Sequence, residues 1–219
     1  MSHTNLNRRD FIKSAALAGA AFPLLMSCRT DTSAQMAAQK VATDLDEIRK
    51  NAAASCDSWC GAKDAPDNVT WKTSLAKDSD EGERMLISGT IFQADGKTAA
   101  PGILIYLYHT DVHGIYGRGS EPRHGKHRGW MLTDAQGRYE FSSIRPASYP
   151  DSTIPQHVHM TLTGKDRKED WIDSIWFADD KFVTEVTRRE LSGKGGFNPV
   201  LKMEKGANGI WRGVRDIRL

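Results

Sequence analysis

The sequence has few cysteines, no excess of charge of either sign and no internal repeat. Three cysteines occur in 219 residues, and no second pair accompanies Cys56 and Cys60 to complete a zinc site. These two are expected to form a short-loop disulfide or to remain thiols. The formal net charge is +2 without a basic stripe, which argues against a nucleic-acid partner. The chain also lacks a βαβ rhythm, so a parallel α/β sheet is not expected.

The sequence also lacks an apolar run long enough to span a membrane. The stretch from Ala15 to Leu25 is short and rich in small residues, as in a signal peptide. Arg8 and Arg9 precede it in a pattern that resembles a twin-arginine export signal. The stretch ends in "LMSC", which resembles a lipoprotein processing box and predicts a lipidated Cys28. Ordinary cleavage nearby, giving a soluble periplasmic protein, is the alternative.

Composition divides the chain into three segments. Residues 1–27 are the predicted signal peptide, and residues 28–64 are predicted to form a tether and Cys-containing lead-in. One or two helical turns are expected in the lead-in around Leu45 and Ile48. Residues 65–219 are predicted to form the folded domain.

Turn residues and β-branched runs predict an all-β domain after residue 65, with a β-sandwich as the expected architecture. The segment 129–141 should contain two strands around an Asp-x-x-Gly turn. The other predicted elements are strands within 84–93, 103–110, 156–164 and 171–180, a short helix within 181–191, and a C-terminal segment 209–219 that can close the sheet.

Two histidines, His157 and His159, stand one residue apart in the predicted strand 156–164. Side chains at i and i+2 share one face of a strand, so both imidazoles could bind one metal ion. An isolated His-x-His pair is often only a surface or hydrogen-bonded pair on a strand. Further ligands are therefore needed to support a metal site.

Two long loops, 111–127 and 144–155, carry one tyrosine each, Tyr116 and Tyr149. Long loops in compact domains tend to carry function. If both tyrosines reach the two histidines, the site offers two imidazoles and two phenolates. Phenolate is a hard anionic ligand that favours ferric iron over zinc, copper(I) or calcium. A bound metal would also make tyrosine ionisation feasible near neutral pH.

Several segments together resemble one known family. They are "GTIFQADGKTAAPGILIYLYHTDVHGIYG", "HRGWMLTDAQGRYEFSSIRPASYP" and "PQHVHM", and they occur in that order between about residues 85 and 180. Their Gly-x-Tyr, Thr-Asp-x-x-Gly, Pro-x-x-Tyr-Pro and His-x-His patterns are similar to those of the intradiol ring-cleavage dioxygenases, the catechol and protocatechuate 3,4-dioxygenases. Each pattern alone is weak, but the ordered series is specific.

The resemblance implies an iron enzyme with a prealbumin-like β-sandwich and long active-site loops. Tyr116, Tyr149, His157 and His159 match the family's ligands to Fe(3+). Tyr116 matches the tyrosine that stays on the metal, and Tyr149 matches the one that leaves it when substrate binds. Both tyrosines are therefore expected to be catalytic. The implied substrates are a catechol and O2, and the implied product is a muconate-type diacid.

The sequence departs from the family pattern around the expected substrate pocket. Ile154 stands where the family usually has an arginine, and Tyr108 stands where a tryptophan is common. Arg128 is one of the arginines that could substitute. Arg128, Tyr108 and Ile154 are therefore the expected substrate contacts, and the particular catechol stays open.

Four further histidines lie in or beside the first long loop: His109, His113, His124 and His127. Loops are mostly exposed, so these side chains are expected to be solvated. Binding of a second metal or of a substrate carboxylate is the alternative.

A second class of function stays open at this stage. The segments 89–111 and 133–141 also resemble prealbumin-like modules, which occur as binding domains on exported proteins, and fold alone does not imply function. A weakly active relative that binds iron and catechols is a third possibility. The expected membrane contact is the lipid anchor at Cys28, and the oligomeric state is not determined by the sequence.

Overall fold

The computed structural model describes residues 44–53, 59–117, 119 and 121–219. The predicted signal peptide, Cys28 and Cys56 lie outside these residues, so export, lipidation and the disulfide stay predictions. Within the described ranges, no helix is both long and apolar enough to cross a membrane.

Strands dominate the described residues, which confirms the predicted all-β class. In the part of the chain that the structure describes, helical structure is confined to α1 at residues 44–50, a 3-10 turn at Ala62–Asp64 and α2 at Glu185–Arg188. The strands are β1 (Lys72–Ser74), β2 (Arg84–Phe92), β3 (Leu104–Tyr108), β4 (Arg128–Leu132), β5 (Arg138–Ile144), β6 (His157–Gly164), β7 (Arg167–Phe177), β8 (Val200–Leu201), β9 (Glu204–Lys205), β10 (Trp211–Val214) and β11 (Ile217–Arg218).

The described strands form two mixed sheets. The first has the order β1-β5-β2-β10-β9, with β11 also paired to β2, and the second has the order β4-β3-β6-β7-β8. Strands β10 and β11 run parallel to β2, whereas β2 and β5 are antiparallel, as are β3, β6 and β7. The C-terminal segment 209–219 therefore extends the first sheet, as predicted.

Both strands predicted within 129–141 are present, but they belong to different sheets. Strand β4 pairs with β3, and β5 pairs with β1 and β2. The turn between them is closed by a 2.9 Å hydrogen bond from Gly137 N to Asp134 O. This turn therefore carries the chain from one sheet to the other and does not form a hairpin.

Side chains from both sheets meet in one apolar core. Ile87 and Phe141 come from the first sheet, and Ile105, Leu162 and Ile175 come from the second. Burial of each such side chain contributes about 1.5–3 kcal/mol. All five residues of β3 are buried, as expected of a strand that is apolar on both faces. The core thus fixes β3 and β6, which carry Tyr108, His157 and His159.

The described part of the predicted lead-in packs against the second sheet. Leu45 and Ile48 of α1 form a smaller core with Ala62, Val69 and Leu104. The helical turns expected around Leu45 and Ile48 are therefore present. The lead-in is held against the sheet at these positions, and the domain boundary at residue 65 stays a prediction.

Candidate metal centre

His157 and His159 lie at the start of β6 and share one face of the strand. Their ring centroids are 4.5 Å apart, and their Nε2 atoms are 2.9 Å apart. Val158 between them is buried in the core, as the alternation of a strand requires. The two imidazoles are therefore close enough to bind one ion.

A β-bulge in β7 lies opposite His159. Two residues of β7, Asp173 and Ser174, face the single residue His159 in the pairing of β6 with β7. Bulges often re-aim side chains beside functional sites. Here the hydroxyl of Ser174 lies 3.2 Å from His159 Nδ1, so the bulge supplies a hydrogen-bond partner that orients the ring.

The loops that carry Tyr116 and Tyr149 are joined by hydrogen bonds near the ends of β3 and β5. Thr110 Oγ1 donates to Ala147 O at 2.7 Å, and Ala147 N donates to Asp111 O at 3.0 Å. The first loop follows β3, and the second connects β5 to β6. These bonds hold the two tyrosine-bearing loops side by side.

Two glycines allow close backbone contacts in this region. A Cβ at Gly125 would lie 1.4 Å from Tyr116 O, and a Cβ at Gly114 would lie 2.1 Å from Ser148 O. Both glycines have positive φ, at 70° and 77°, which other residues rarely adopt. Larger residues at either position would push the tyrosine-bearing loops out of place.

The structure brings together the four residues that the sequence singles out as iron ligands. Tyr149 Oη lies 3.0 Å from His157 Nε2 and 3.2 Å from His159 Nε2. The Tyr116 hydroxyl forms a hydrogen bond with the Tyr149 hydroxyl. The two Nε2 atoms and the Tyr149 oxygen thus lie within 3.2 Å of one another, and the Tyr116 oxygen adjoins them through Tyr149. We call these four residues the tetrad.

The tautomer of His157 leaves a lone pair on its Nε2 atom, which faces the other members of the tetrad. His157 Nδ1 lies 2.6 Å from Pro155 O. A carbonyl can only accept, so Nδ1 carries the hydrogen and Nε2 presents a lone pair. Burial lowers the pKa of His157, and burial together with the neighbouring His157 lowers the pKa of His159 to about 3. Two neutral imidazoles whose Nε2 atoms lie only 2.9 Å apart are an arrangement that a cation bound to both would stabilise.

Without a metal ion, the protein environment also keeps both tyrosines of the tetrad neutral. Burial raises the pKa of Tyr116 far above its ordinary value, and its hydrogen bond with Tyr149 raises it further. Burial likewise raises the pKa of Tyr149. Only a strongly charged ion could ionise them near neutral pH. Two imidazoles with two phenolic oxygens therefore fit ferric iron, a hard cation, better than zinc or copper(I).

Clusters built from other ligand types are not found in the described ranges. Across residues 44–53, 59–117, 119 and 121–219, no group of three or more His, Cys, Asp or Glu side chains could hold a metal ion. The tetrad differs from such clusters because two of its four residues are tyrosines. It is therefore the candidate metal site of the described residues.

A cavity of about 510 Å³ opens beside the tetrad. This volume is within the usual range for small-molecule pockets. Tyr108 forms part of its wall and stacks on His159 with ring centroids 4.7 Å apart. The described lining residues include no Lys, Arg, Asp or Glu. They are Trp59, Tyr108, Tyr116, His124, Tyr149, His159, Met160, Thr161, Trp171, Ile172 and Ser174.

Of the three expected substrate contacts, only Tyr108 lines this cavity. Arg128 Nη1 instead donates to Arg123 O at 3.2 Å, and its guanidinium lies 5.3 Å from the Trp130 ring centroid. Ile154 is 48% exposed in the loop before β6 and is not among the lining residues. Its apolar side chain cannot supply the charge of the arginine that the family pattern has there. The predicted lipidation site, Cys28, lies outside the described residues.

The expectation of solvated histidines is wrong for His109 and His127. They are 0% and 1% exposed, and their rings stack 5.1 Å apart because the loop returns alongside β3. His109 Nε2 lies 2.7 Å from Ser143 Oγ in the neighbouring sheet. His113 is exposed, as expected, whereas His124 is half-buried in the wall of the cavity.

Two residues near the site were not identified from the sequence. Trp59 reaches the cavity wall from the lead-in. Glu169 is buried in β7, and its Oε1 accepts hydrogen bonds from Gly61 N at 2.7 Å and Ala62 N at 2.9 Å. Neither residue belongs to a motif, and their roles arise from contacts across about a hundred residues of sequence.

Comparisons with known proteins agree with this geometry. The family model described as "Dioxygenase" matches residues 61–191. The chain is 25% identical over 128 residues to the protocatechuate 3,4-dioxygenase beta chain of Burkholderia cepacia, covering 53% of this chain and 54% of that one. It is 29% identical over 89 residues to catechol 1,2-dioxygenase of Acinetobacter baylyi, covering 39% and 28%. The chain thus spans about half or less of these curated relatives.

A solved structure supports the fold. The dioxygenase domain of a dioxygenase–carbohydrate-binding protein fusion from Streptomyces sp. SirexAA-E matches with a TM-score of 0.53 at 21% identity. The match covers 67% of this chain and 86% of that domain. At this identity the likeness concerns the fold alone.

Proposed function

Because the chain belongs to the intradiol ring-cleavage dioxygenase family, we propose that it is a non-haem Fe(III) enzyme that cleaves a catechol-type ring with O2. Both oxygen atoms of O2 enter the product, a muconate-type diacid, so no external reductant is consumed. The proposed ligands are Tyr116, Tyr149, His157 and His159.

The contacts within the tetrad are the observation that supports this proposal most strongly. The phenolic oxygen of Tyr149 lies within 3.2 Å of the Nε2 atoms of both histidines, and the Tyr116 hydroxyl is hydrogen-bonded to it, beside a cavity of about 510 Å³. A binding module has no need for this arrangement, because two half-buried phenols beside two imidazoles with adjacent Nε2 atoms do nothing useful without a cation. The alternative of a prealbumin-like binding module is therefore not favoured.

When bound, ferric iron would act as a Lewis acid that makes the catechol ring reactive towards O2. The chain's own residues would bind and orient the substrate and move its protons. We assign to Tyr149 Oη the role of accepting a proton from a catechol hydroxyl, since Tyr149 lies on a loop and lines the cavity. The rings of Tyr108 and Trp171 would contact the faces of the aromatic substrate.

The packing of the two mixed sheets into a β-sandwich is part of the same proposal. The shared apolar core of the two sheets supports a prealbumin-like β-sandwich, in which long loops carry the catalytic tyrosines. Among the described lining residues, recognition would come from rings and hydroxyl groups rather than from fixed charges.

Iron-loaded protein is expected to consume one O2 for each catechol supplied and to form a product heavier by two oxygen atoms. The reason is that ring cleavage inserts both atoms of O2 and releases neither. An oxygen electrode and mass spectrometry of the product measure this directly. Binding of catechols without oxygen uptake would replace the proposal with that of a binding relative.

The proposed location follows from the N-terminal sequence alone. We propose export by the twin-arginine route and attachment to the periplasmic side of a membrane through a lipid on Cys28. A Cys28→Ala variant that remains in the membrane fraction would contradict the anchor. This test is independent of the chemistry at the tetrad.

A further inference from the structure

Arg145 and Gln156 are hydrogen-bonded at the base of the loop that carries Tyr149. Arg145 follows the last residue of β5, and Gln156 precedes the first residue of β6. Arg145 Nε donates to Gln156 Oε1 at 2.9 Å. A guanidinium group can only donate hydrogen bonds, so the Gln156 side chain presents its oxygen here and not its NH2 group. This hydrogen bond therefore joins the two ends of the loop.

The guanidinium of Arg145 is fixed by further contacts. Its Nη1 and Nη2 atoms donate to the two carboxylate oxygens of Asp179 at 2.8 and 2.6 Å. A two-point pair of this kind fixes the plane of the guanidinium as well as its distance. The group also lies 4.8 Å from the Phe177 ring centroid and 5.7 Å from that of Trp211. Arg145, whose side chain is only 11% exposed, is thus a rigid support for Gln156.

The backbone of Gln156 has a separate support. Gln156 N donates to Asp180 Oδ2 at 2.7 Å, and the other oxygen of this buried carboxylate accepts from Phe182 N at 2.8 Å. The N–H group of Gln156 and the carbonyl group of Pro155 belong to one planar peptide group. Asp180 therefore fixes the direction of the Pro155 carbonyl by binding the N–H group on the other side of the same plane.

The Pro155 carbonyl in turn sets the tautomer of His157. Pro155 O lies 2.6 Å from Nδ1 and accepts its hydrogen, which leaves the lone pair on Nε2. Which nitrogen of a neutral imidazole carries the hydrogen depends on such a partner. A hydrogen on Nε2 would instead occupy the position that a metal ion requires. The peptide group between Pro155 and Gln156 thus determines whether His157 can act as a ligand.

We propose that Asp180 and Arg145 are positioning residues of the metal centre. They hold the peptide group before Gln156 in the orientation that makes His157 present the lone pair of Nε2 to iron. Asp180 acts on the peptide N–H group, and Arg145 acts on the Gln156 side chain. Neither is among the described lining residues of the cavity beside the tetrad, so both act through His157 and not on substrate. This inference rests on the proposed iron site.

The test determines the tautomer of His157 in metal-free protein. NMR spectra of protein with isotope-labelled histidine distinguish protonated from unprotonated ring nitrogens, at a pH at which the ring is neutral. A His157→Gln variant identifies the His157 signals by their absence. Iron affinity is measured on the same variants by competition with a chelator. The matched control is Lys205→Met, which removes an exposed ion pair with Glu83 and leaves the hydrogen bonds of Gln156 in place.

Gln156→Met keeps nearly the shape of the side chain and removes the acceptor for Arg145. We expect wild-type His157 to carry its hydrogen on Nδ1, the Nε2–H form to appear in Gln156→Met, and this form to predominate in Asp180→Ala. Iron affinity should fall about tenfold and about 100-fold respectively, the usual range for groups that orient a metal ligand. Arg145→Met should match Gln156→Met, because both break the same hydrogen bond. Gln156→Glu keeps an acceptor and should behave as wild type, as should Lys205→Met.

A wild-type His157 with its hydrogen on Nε2 would overturn the inference. An unchanged tautomer in Gln156→Met or Arg145→Met would do so as well, as would a changed tautomer without loss of iron affinity. Gln156→Met leaves the buried Asp180 in place, so the test does not depend on the folding of Asp180→Ala. Failure of the proposed function has a different result. In that case iron-loaded wild type takes up no oxygen, while the tautomer in metal-free protein still reports on the two positioning residues.

Discussion

Replacement of His159 by alanine is expected to abolish tight iron binding and, with it, oxygen uptake. Loss of a hydrogen-bond partner behind a metal ligand already costs about 10–100-fold in affinity or activity. Loss of the ligand itself should therefore cost more than about 100-fold. The measurement is the iron content of dialysed protein, together with the rate of oxygen consumption with catechol. His159 lies at the start of β6 and outside the apolar core, so the variant should still fold.

Two companion variants make the result specific. Ser174→Ala removes the hydroxyl that lies 3.2 Å from His159 Nδ1 and should lower iron affinity about tenfold. His113→Ala alters an exposed histidine on the neighbouring loop and should have no effect. Wild-type iron content in His159→Ala, with an unchanged circular dichroism spectrum, would show that the tetrad does not hold the metal.

Replacement of Glu169 by leucine is expected to lower the free energy of unfolding by roughly 4 kcal/mol. The carboxylate accepts hydrogen bonds from the backbone N–H groups of Ala53, Gly61 and Ala62 and from the hydroxyl of Thr161. Leucine leaves these donors without their acceptor, and each unsatisfied buried group costs about 1–3 kcal/mol. Water that enters the vacated space would satisfy some of these donors, so the expected loss of stability is smaller than the sum of the individual costs. Urea unfolding measures the change.

The loss of Glu169 should also affect the cavity. Its hydrogen bonds hold residues 61–62 against the second sheet, and Trp59 reaches the cavity from the same segment. We therefore expect faster proteolysis near residue 60 and weaker catechol binding in Glu169→Leu. Glu169→Gln keeps one oxygen acceptor and should lose less stability.

Glu190→Leu is the matched control for this prediction, because Glu190 is exposed after α2. Surface changes of this kind usually alter stability by less than about 0.5 kcal/mol. If Glu169→Leu were as stable as Glu190→Leu, the buried carboxylate would not be what holds the lead-in.

Much of this fold and site follows from local sequence rules. Strand alternation predicts the shared face of His157 and His159, because it depends only on a period of two residues. The buried strand β3 was likewise predictable from its unbroken apolar run. The loop positions of Tyr116 and Tyr149 follow from the turn residues around them.

Other features depend on contacts that local sequence does not encode. The strands on either side of the turn at Asp134 lie in different sheets, since each finds its partners elsewhere in the chain. His109 is buried because Ser143, more than thirty residues away, offers a hydrogen bond. The role of Glu169 similarly arises from its contacts with Gly61 and Ala62, more than a hundred residues earlier.

The visible absorption spectrum of iron-loaded protein tests the central claim most directly. Charge transfer from tyrosinate to ferric iron should colour the wild type, and addition of a catechol should shift the band. Tyr116→Phe and Tyr149→Phe should each change the spectrum, because each removes one phenolate ligand. A colourless iron-loaded wild type, with both variants indistinguishable from it, would contradict the assignment of the tetrad as an iron centre.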